Sequence, residues 1–109
     1  MKRFEMIKNK NEFNNIIRHG KYTKNKYFVI YYIDNIDNNT KFGIAIKKSI
    51  GLAVIRNRLK RQTRAIIDNN RILFKKSHNY IIMIREGCLL SSFKDMNEAL
   101  VNLMKGTQK

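Results

Sequence analysis

The sequence predicts an α/β (α+β) sandwich, a small sheet covered by helices, with elements in the order α-β-β-α-β-α. Three observations predict it. Three segments carry apolar residues at helical spacing, and three short apolar or alternating runs have the length of strands. No Pro- or Ser-rich linker and no internal repeat divides the 109 residues. Residues 1–109 are therefore expected to form one domain around one modest core.

The first helix is expected from Asn9 to His19. Asn9 can cap the first free amides, and Glu12 stands three residues on, as in a capping box. Phe13, Ile16 and Ile17 share one face, and Gly20 suits the stop. Lys26–Ile33 follows as a strand rich in β-branched and aromatic residues. Asp34–Asn39 is polar or turn-forming except at Ile36 and reads as a hairpin loop. Thr40–Lys47 is then the return strand, with Phe42, Ile44 and Ile46 alternating against Lys41, Gly43, Ala45 and Lys47.

A second helix is expected from Leu52 to Asp68. Leu52, Ile55, Leu59, Thr63, Ile66 and Ile67 fill one arc of its wheel. Arg56, Asn57, Lys60, Arg61 and Arg64 fill the opposite arc, with Arg58 at its far edge. Tyr80–Ile84 is a strand apolar throughout, which points to a central position or to cover on both faces. The last helix starts near Ser92, where Ser92 and Asp95 match the capping pattern. Phe93, Met96, Leu100, Leu103 and Met104 form its buried stripe.

Charge separates this chain from an ordinary small domain. Lys and Arg number 23 against 8 acids, a formal net charge of +15. That excess repels itself in a compact fold unless a polyanion offsets it, so nucleic acid or an anionic membrane is the expected partner. A lysine-rich composition can also arise from an A+T-rich genome, but such drift does not explain where the arginines sit. Half of the eight lie within nine residues, at positions 56, 58, 61 and 64. From Lys41 to Ile67 there are eight Lys or Arg and no acid.

Other function classes fare worse. No apolar run approaches the roughly 18 residues of a membrane span, and the N-terminus lacks the apolar core of a signal peptide. The single cysteine, Cys88, excludes an intramolecular disulfide and suits a reducing compartment, so a cytoplasmic location is expected. The acids Glu5, Glu12, Asp34, Asp37, Asp68, Glu86, Asp95 and Glu98 are dispersed, whereas metal-assisted phosphodiester cleavage needs clustered carboxylates. His19 and His78 read as surface or helix-end residues, and Cys88 reads as structural. We therefore expect no catalytic residue, metal ligand or bound cofactor in this chain, and no obligate protein partner.

Two constellations carry binding chemistry. Arg56, Lys60 and Arg64 recur every four positions and stack on one helix face beside Asn57 and Arg61. Like charges at that spacing cost a helix a few tenths of a kcal/mol per pair, and no Glu is interleaved to relieve them. A solvated surface helix would carry acids too, so an external anion is expected; Arg forks phosphate in a bidentate way. The second constellation is aromatic: Phe13, Tyr22, Tyr27, Phe28, Tyr31 and Tyr32. On the strand, Tyr27, Val29 and Tyr31 share one face and Phe28, Ile30 and Tyr32 the other. Phe28 is assigned to the core, while Tyr31 fits either the core or an open platform that stacks unpaired bases.

Residues 51–64, Gly-Leu-Ala-Val-Ile-Arg-Asn-Arg-Leu-Lys-Arg-Gln-Thr-Arg, resemble the signature of the bacterial ribonuclease P protein family. That signature is an Arg-Asn-Arg helix preceded by Gly-x-Ala-Val and followed by Lys-Arg-x-x-Arg. Phe13, His19-Gly20, Phe28-Val29-Ile30-Tyr31, Gly43-Ile44-Ala45-Ile46 and Tyr80-Ile81-Ile82 follow in the family's order and spacing, so the resemblance covers nearly the whole chain. It implies a protein subunit that binds the ribonuclease P catalytic RNA and the 5′ leader of precursor tRNA. The endonucleolytic chemistry would then belong to the RNA and its Mg2+. By the same resemblance Arg56, Asn57, Arg58, Lys60, Arg61 and Arg64 face RNA, Lys48 is a basic position on the strand leading to the helix, and Phe13, Ile17 and Tyr31 match the leader cleft. The family usually has an aromatic where this chain has Ile17, and Ser-Lys-Lys where it has Lys47-Lys48-Ser49. It also implies a left-handed crossover between the second and third strands, against the right-handed rule.

Three other classes share part of this pattern. A ribosomal-protein-like RNA-binding module would have the same composition and no role in tRNA processing. A helix-turn-helix DNA regulator needs a helix before the basic one, where Thr40–Lys47 alternates like a strand. A membrane-surface binder needs a broad apolar face that the core would otherwise use.

Overall fold

Asn9 does what its position predicts: its side chain accepts hydrogen bonds from the amides of Asn11 and Glu12 and starts helix α1, Lys10–His19. The computed structural model describes residues 6, 7 and 9–107, so Glu5 lies outside the described residues. Along the chain follow strands β1 (Lys21–Lys24), β2 (Phe28–Asp34) and β3 (Phe42–Ile46), helix α2 (Ala53–Asn69), strand β4 (His78–Ile84) and helix α3 (Phe93–Thr107). One-turn 3-10 helices at Lys48–Ile50, Arg71–Leu73 and Glu86–Cys88 link the later elements. At α3 the Ser92 hydroxyl accepts from the Asp95 amide at 3.1 Å, the predicted cap.

The sheet order is β1-β2-β4-β3. β2 is antiparallel to both β1 and β4, and β3 runs parallel to β4. This corrects the expected hairpin, because β2 and β3 are not neighbours. The apolar β4 takes the central slot between them, as its composition foretold, and α2 becomes the crossover joining β3 to β4. The Asp34–Asn39 segment instead bridges over the start of β4. The Asn35 amide donates to Ser77 O at 2.8 Å, and the Asn35 side chain donates to Lys76 O at 2.9 Å. Asn79 Oδ1 accepts from the Lys41 amide at 3.0 Å, so the loop is satisfied without a β2–β3 ladder.

Strand β1 was not expected. Its four residues, Lys-Tyr-Thr-Lys, bury little, and the edge position that permits this is what hides it from an apolar pattern. Asn25 makes the turn into β2: its Oδ1 accepts from the amides of Tyr27 and Phe28, and its Nδ2 donates to Ala99 O of α3. β2 therefore begins at Phe28 rather than Lys26.

One sheet face carries Phe28, Ile30, Phe42, Tyr80, Ile82 and Ile84 into the core, against Leu59, Ile66 and Ile67 of α2 and Met96, Leu100 and Met104 of α3. Thr63 is buried among them, with its hydroxyl donating to Leu59 O. Two expected core residues are not there. Leu52 is 71% exposed, because the helix begins one residue later, and Phe93 is 39% exposed at the first position of α3. Helix α1 packs over the other face with Ile16 buried. Among the described residues no helix is long and apolar enough to cross a membrane.

Candidate nucleic-acid interface

The register of the sheet defines its second face row by row. Tyr22 of β1 pairs with Tyr31 of β2, Tyr31 with Ile81 of β4, and Ile81 with Gly43 of β3. Partners across a ladder point to the same side, so these four residues form one cross-sheet row. Lys24, Val29, Met83 and Ala45 form the next row on that face. Helix α1 closes the first row at its β3 end, where the Phe13 ring lies directly over Gly43. Only glycine leaves room there: a Cβ at 43 would stand 3.0 Å from Phe13 Cε2.

The other end of the face is open. A trough of about 810 Å³ has Val29, Tyr31 and Met83 on its floor and Tyr22, Lys24, Lys26, Lys47 and Arg85 around it, with Glu86 the one acid among the described residues that line it. Tyr31 thus belongs to the open face rather than to the core beneath α2 and α3. Phe28 is fully buried, as expected. Tyr22 and Tyr31 stand with ring centroids 5.9 Å apart and planes tilted by 43°. Arg85 is fixed at the rim by its backbone amide, 2.8 Å from Tyr27 O, and by its guanidinium, 2.6 Å from Asn25 O.

The expected cleft residues are therefore not all brought together. Phe13, Ile17 and Tyr31 are each half-buried. Phe13, on α1, covers Gly43 of β3, whereas Tyr31 stands on β2, two strands away or about 10 Å at ordinary strand spacing, with β4 between them. Neither Phe13 nor Ile17 lines the trough. Sequence reasoning missed Lys24, Lys26, Lys47, Met83 and Arg85 and noted Tyr22 only as an aromatic. The alternation of Tyr22 and Lys24 on a short polar segment was the signal that could have found β1.

The trough leads to the basic helix. Ile50 lines it and precedes Gly51, whose φ of 141° is a conformation open to glycine and strained for other residues. Arg56 Nε donates to Gly51 O at 3.2 Å and ties the first turn of α2 back to this junction. Asn57, Arg58, Arg61 and Arg64 are exposed along α2, and Lys60 is half-exposed. Among the described residues no carboxylate pairs with Arg58, Lys60, Arg61 or Arg64; Asp68, at the far end of the helix, pairs with Arg71 at 3.2 Å. Lys48 is exposed too, but it lies in the 3-10 turn after β3 rather than on the strand.

The remaining reactive side chains are structural. Cys88 is fully buried, its thiol donating to Tyr27 O, and burial pushes that thiol up to about 11. His78 is half-buried and stacks on Tyr32 and Tyr80, with Asp34 Oδ1 3.4 Å from its Nε2. Among the described residues no three His, Cys, Asp or Glu side chains converge where they could hold a metal ion.

The family model described as Ribonuclease P matches residues 1–108. The chain is similar to the ribonuclease P protein component of Mycoplasma capricolum, 41% identical over 106 residues that cover 96% of this chain and 97% of that one. The corresponding component of Syntrophomonas wolfei is 37% identical over 99 residues, covering 91% of this chain and 83% of that one. Among solved structures, the RNase P protein from Thermotoga maritima superposes with a TM-score of 0.84 at 29% identity, over 94% of this chain and 96% of that chain.

Proposed function

This chain belongs to the ribonuclease P protein family, and we propose from that premise that it binds the family's catalytic RNA and the 5′ leader of precursor tRNA at once. The observation that carries the proposal is a juxtaposition. A cationic helix that carries no acid before Asp68 and an open, lysine-rimmed aromatic trough meet at the Gly51 junction in one domain.

The two surfaces suit different partners. Arg58, Lys60, Arg61 and Arg64 present cations in line along α2 that no carboxylate among the described residues pairs, a geometry for the phosphates of a folded RNA. Asn57 adds a side chain that both donates and accepts, fit for a base or ribose edge. Arg56 has its Nε engaged with Gly51 O, so it holds the helix start. Lys48 and Lys47 extend the positive surface from the helix to the trough. Single-stranded leader RNA has unstacked bases, and an apolar floor bearing Tyr31 offers them a surface to stack on. Phe13 and Ile17 continue that face under α1.

Hydrolysis of the phosphodiester belongs, in this reading, to the RNA. The Mg2+ that assists the hydrolysis is assigned in this reading to the RNA as well. The protein's part is to raise substrate affinity by holding the leader while the RNA holds the tRNA body. It does this work in the cytoplasm.

The test is reconstitution with a ribonuclease P RNA and precursor tRNA at near-physiological magnesium. Faster release of the leader when protein is added is the expected result. No acceleration would sink the proposal, and cleavage by protein freed of RNA would overturn the division of labour.

A further inference from the structure

We infer that Tyr22, on the edge strand β1, is a base-binding residue that acts as one unit with Tyr31 and holds an unpaired nucleotide of the leader RNA. The inference rests on the leader-trough reading above and adds the residue that fixes where a base sits.

Tyr22 has no structural task that accounts for it. The edge strand is protected by its lysines, and a tyrosine on such an edge is a liability unless used. It is 60% exposed and is not among the residues packed against the core. Its one aromatic neighbour among the described residues is Tyr31, its direct partner across the β1–β2 ladder, at 5.9 Å between ring centroids. That spacing is the ordinary range for paired rings, so Tyr31 holds the Tyr22 ring over the trough without covering it.

The surroundings match a nucleotide better than a peptide or a lipid. Lys24 lies two residues along the same strand and on the same face, within reach of a phosphate whose base rests on Tyr22. Lys26 and Arg85 continue the cationic rim, while Val29 and Met83 keep the floor apolar. A π-face beside a cation accepts any base, which suits leaders of varied sequence.

Position makes the pair the stronger stacking surface on this face. Helix α1 brings only Phe13, seated on Gly43 at the opposite end of the row, and the aliphatic Ile17. The rings of Tyr22 and Tyr31 stand instead at the β1 side, where the trough is open.

The experiment uses the holoenzyme reconstituted with its RNA, and precursor tRNAs with 2-aminopurine at successive leader positions, with mature tRNA as control. Tyr22→Ser, Tyr22→Phe and Tyr31→Ser are compared. Tyr22→Ser should weaken precursor binding about fivefold or more, leave mature tRNA binding unchanged, and release the stacking quench at one leader position. Tyr22→Phe should keep both affinity and quench; loss with Phe would mean that the hydroxyl matters and not the ring, and would overturn the inference. Because Tyr22 is exposed, melting of its two variants should match wild type. Wild-type precursor binding by Tyr22→Ser, with Tyr31→Ser impaired, would overturn the role of Tyr22 and leave the leader trough standing. Wild-type binding by both would remove the trough reading itself, and equal weakening for precursor and mature tRNA would place Tyr22 outside the leader site.

Discussion

The Phe13 ring closes over Gly43 so tightly that a Cβ added there would lie 3.0 Å from Phe13 Cε2 and 3.3 Å from Ile81 Cγ1. This packing seats α1 on the sheet at the β3 end of the open face. Ile81 is fully buried and cannot yield, so Gly43→Ala must displace Phe13. Overpacking of this kind costs about 1–3 kcal/mol, and the half-exposed Phe13 places the expected loss near the lower end. Urea unfolding measures it. Phe13→Ala in the same chain should remove most of the penalty of Gly43→Ala; strictly additive losses would mean the ring is not what the methyl meets.

The cations of α2 should bind through phosphates and hence through counterion release. Replacing Arg61 and Arg64 together by Gln should weaken binding to the catalytic RNA. It should also reduce the log–log salt slope by roughly 0.7–0.9 for each phosphate no longer neutralised. Asn57→Ala should cost affinity with little change of slope, since it carries no charge. Titrations at several salt concentrations separate the two. An unchanged slope in the double variant would show that this face is merely solvated.

Burial of Cys88 links stability to alkaline pH. The unfolded thiol ionises above its ordinary value of 9.0, whereas the native fold keeps it protonated to about 11. The native state therefore holds a proton that the unfolded state releases. Stability should be intact below the unfolded value and fall as pH rises from there toward the folded one, by on the order of 1.4 kcal/mol per unit within that window. Urea midpoints at about pH 8 and about pH 10.5, for wild type and Cys88→Ala, isolate the effect from lysine titration. A steeper decline in wild type is expected; parallel declines would show that the thiol is not responsible.

Helices were the most legible part of the chain, because their signals are local. Asn9 and Ser92 cap the helices they were expected to cap, and the α2 stripe from Leu59 to Ile67 is buried while its basic arc is exposed. The sheet order was less legible. The segment after Asp34 has hairpin chemistry, yet β4, some forty residues later, competes for the same edge of β2 and wins through an apolar run that fits only a central strand. Local turn signals cannot report a rival so distant. The site shows the same division. Arg56 to Arg64 stood out because one helix carries them all, while the trough is assembled from β1, β2, β4 and the turns beside them, so its lysines became visible only when the register was known.

Tyr31 offers the most direct test of the trough, because two outcomes of one substitution read two different environments. The residue is half-buried, and its ring meets Tyr22 on the face that α1 leaves open. It is not among the residues packed against the α2–α3 core, whereas its neighbours in sequence, Ile30 and Tyr32, are. Tyr31→Ala should therefore lower the melting temperature little, far less than the 3–5 kcal/mol typical of emptying a buried aromatic site. It should instead weaken precursor tRNA by the roughly 1–3 kcal/mol that a base stacked on an aromatic ring supplies. Mature tRNA, which has no leader to place in the trough, should bind as before. Ile30→Ala is the contrasting control: it removes a fully buried side chain and should depress the melting temperature strongly. Both tRNAs should then bind to whatever fraction stays folded, with the wild-type ratio of affinities between them. If Tyr31→Ala behaved like Ile30→Ala, the open face would be structural, and leader recognition would have to be sought on the α2 surface instead.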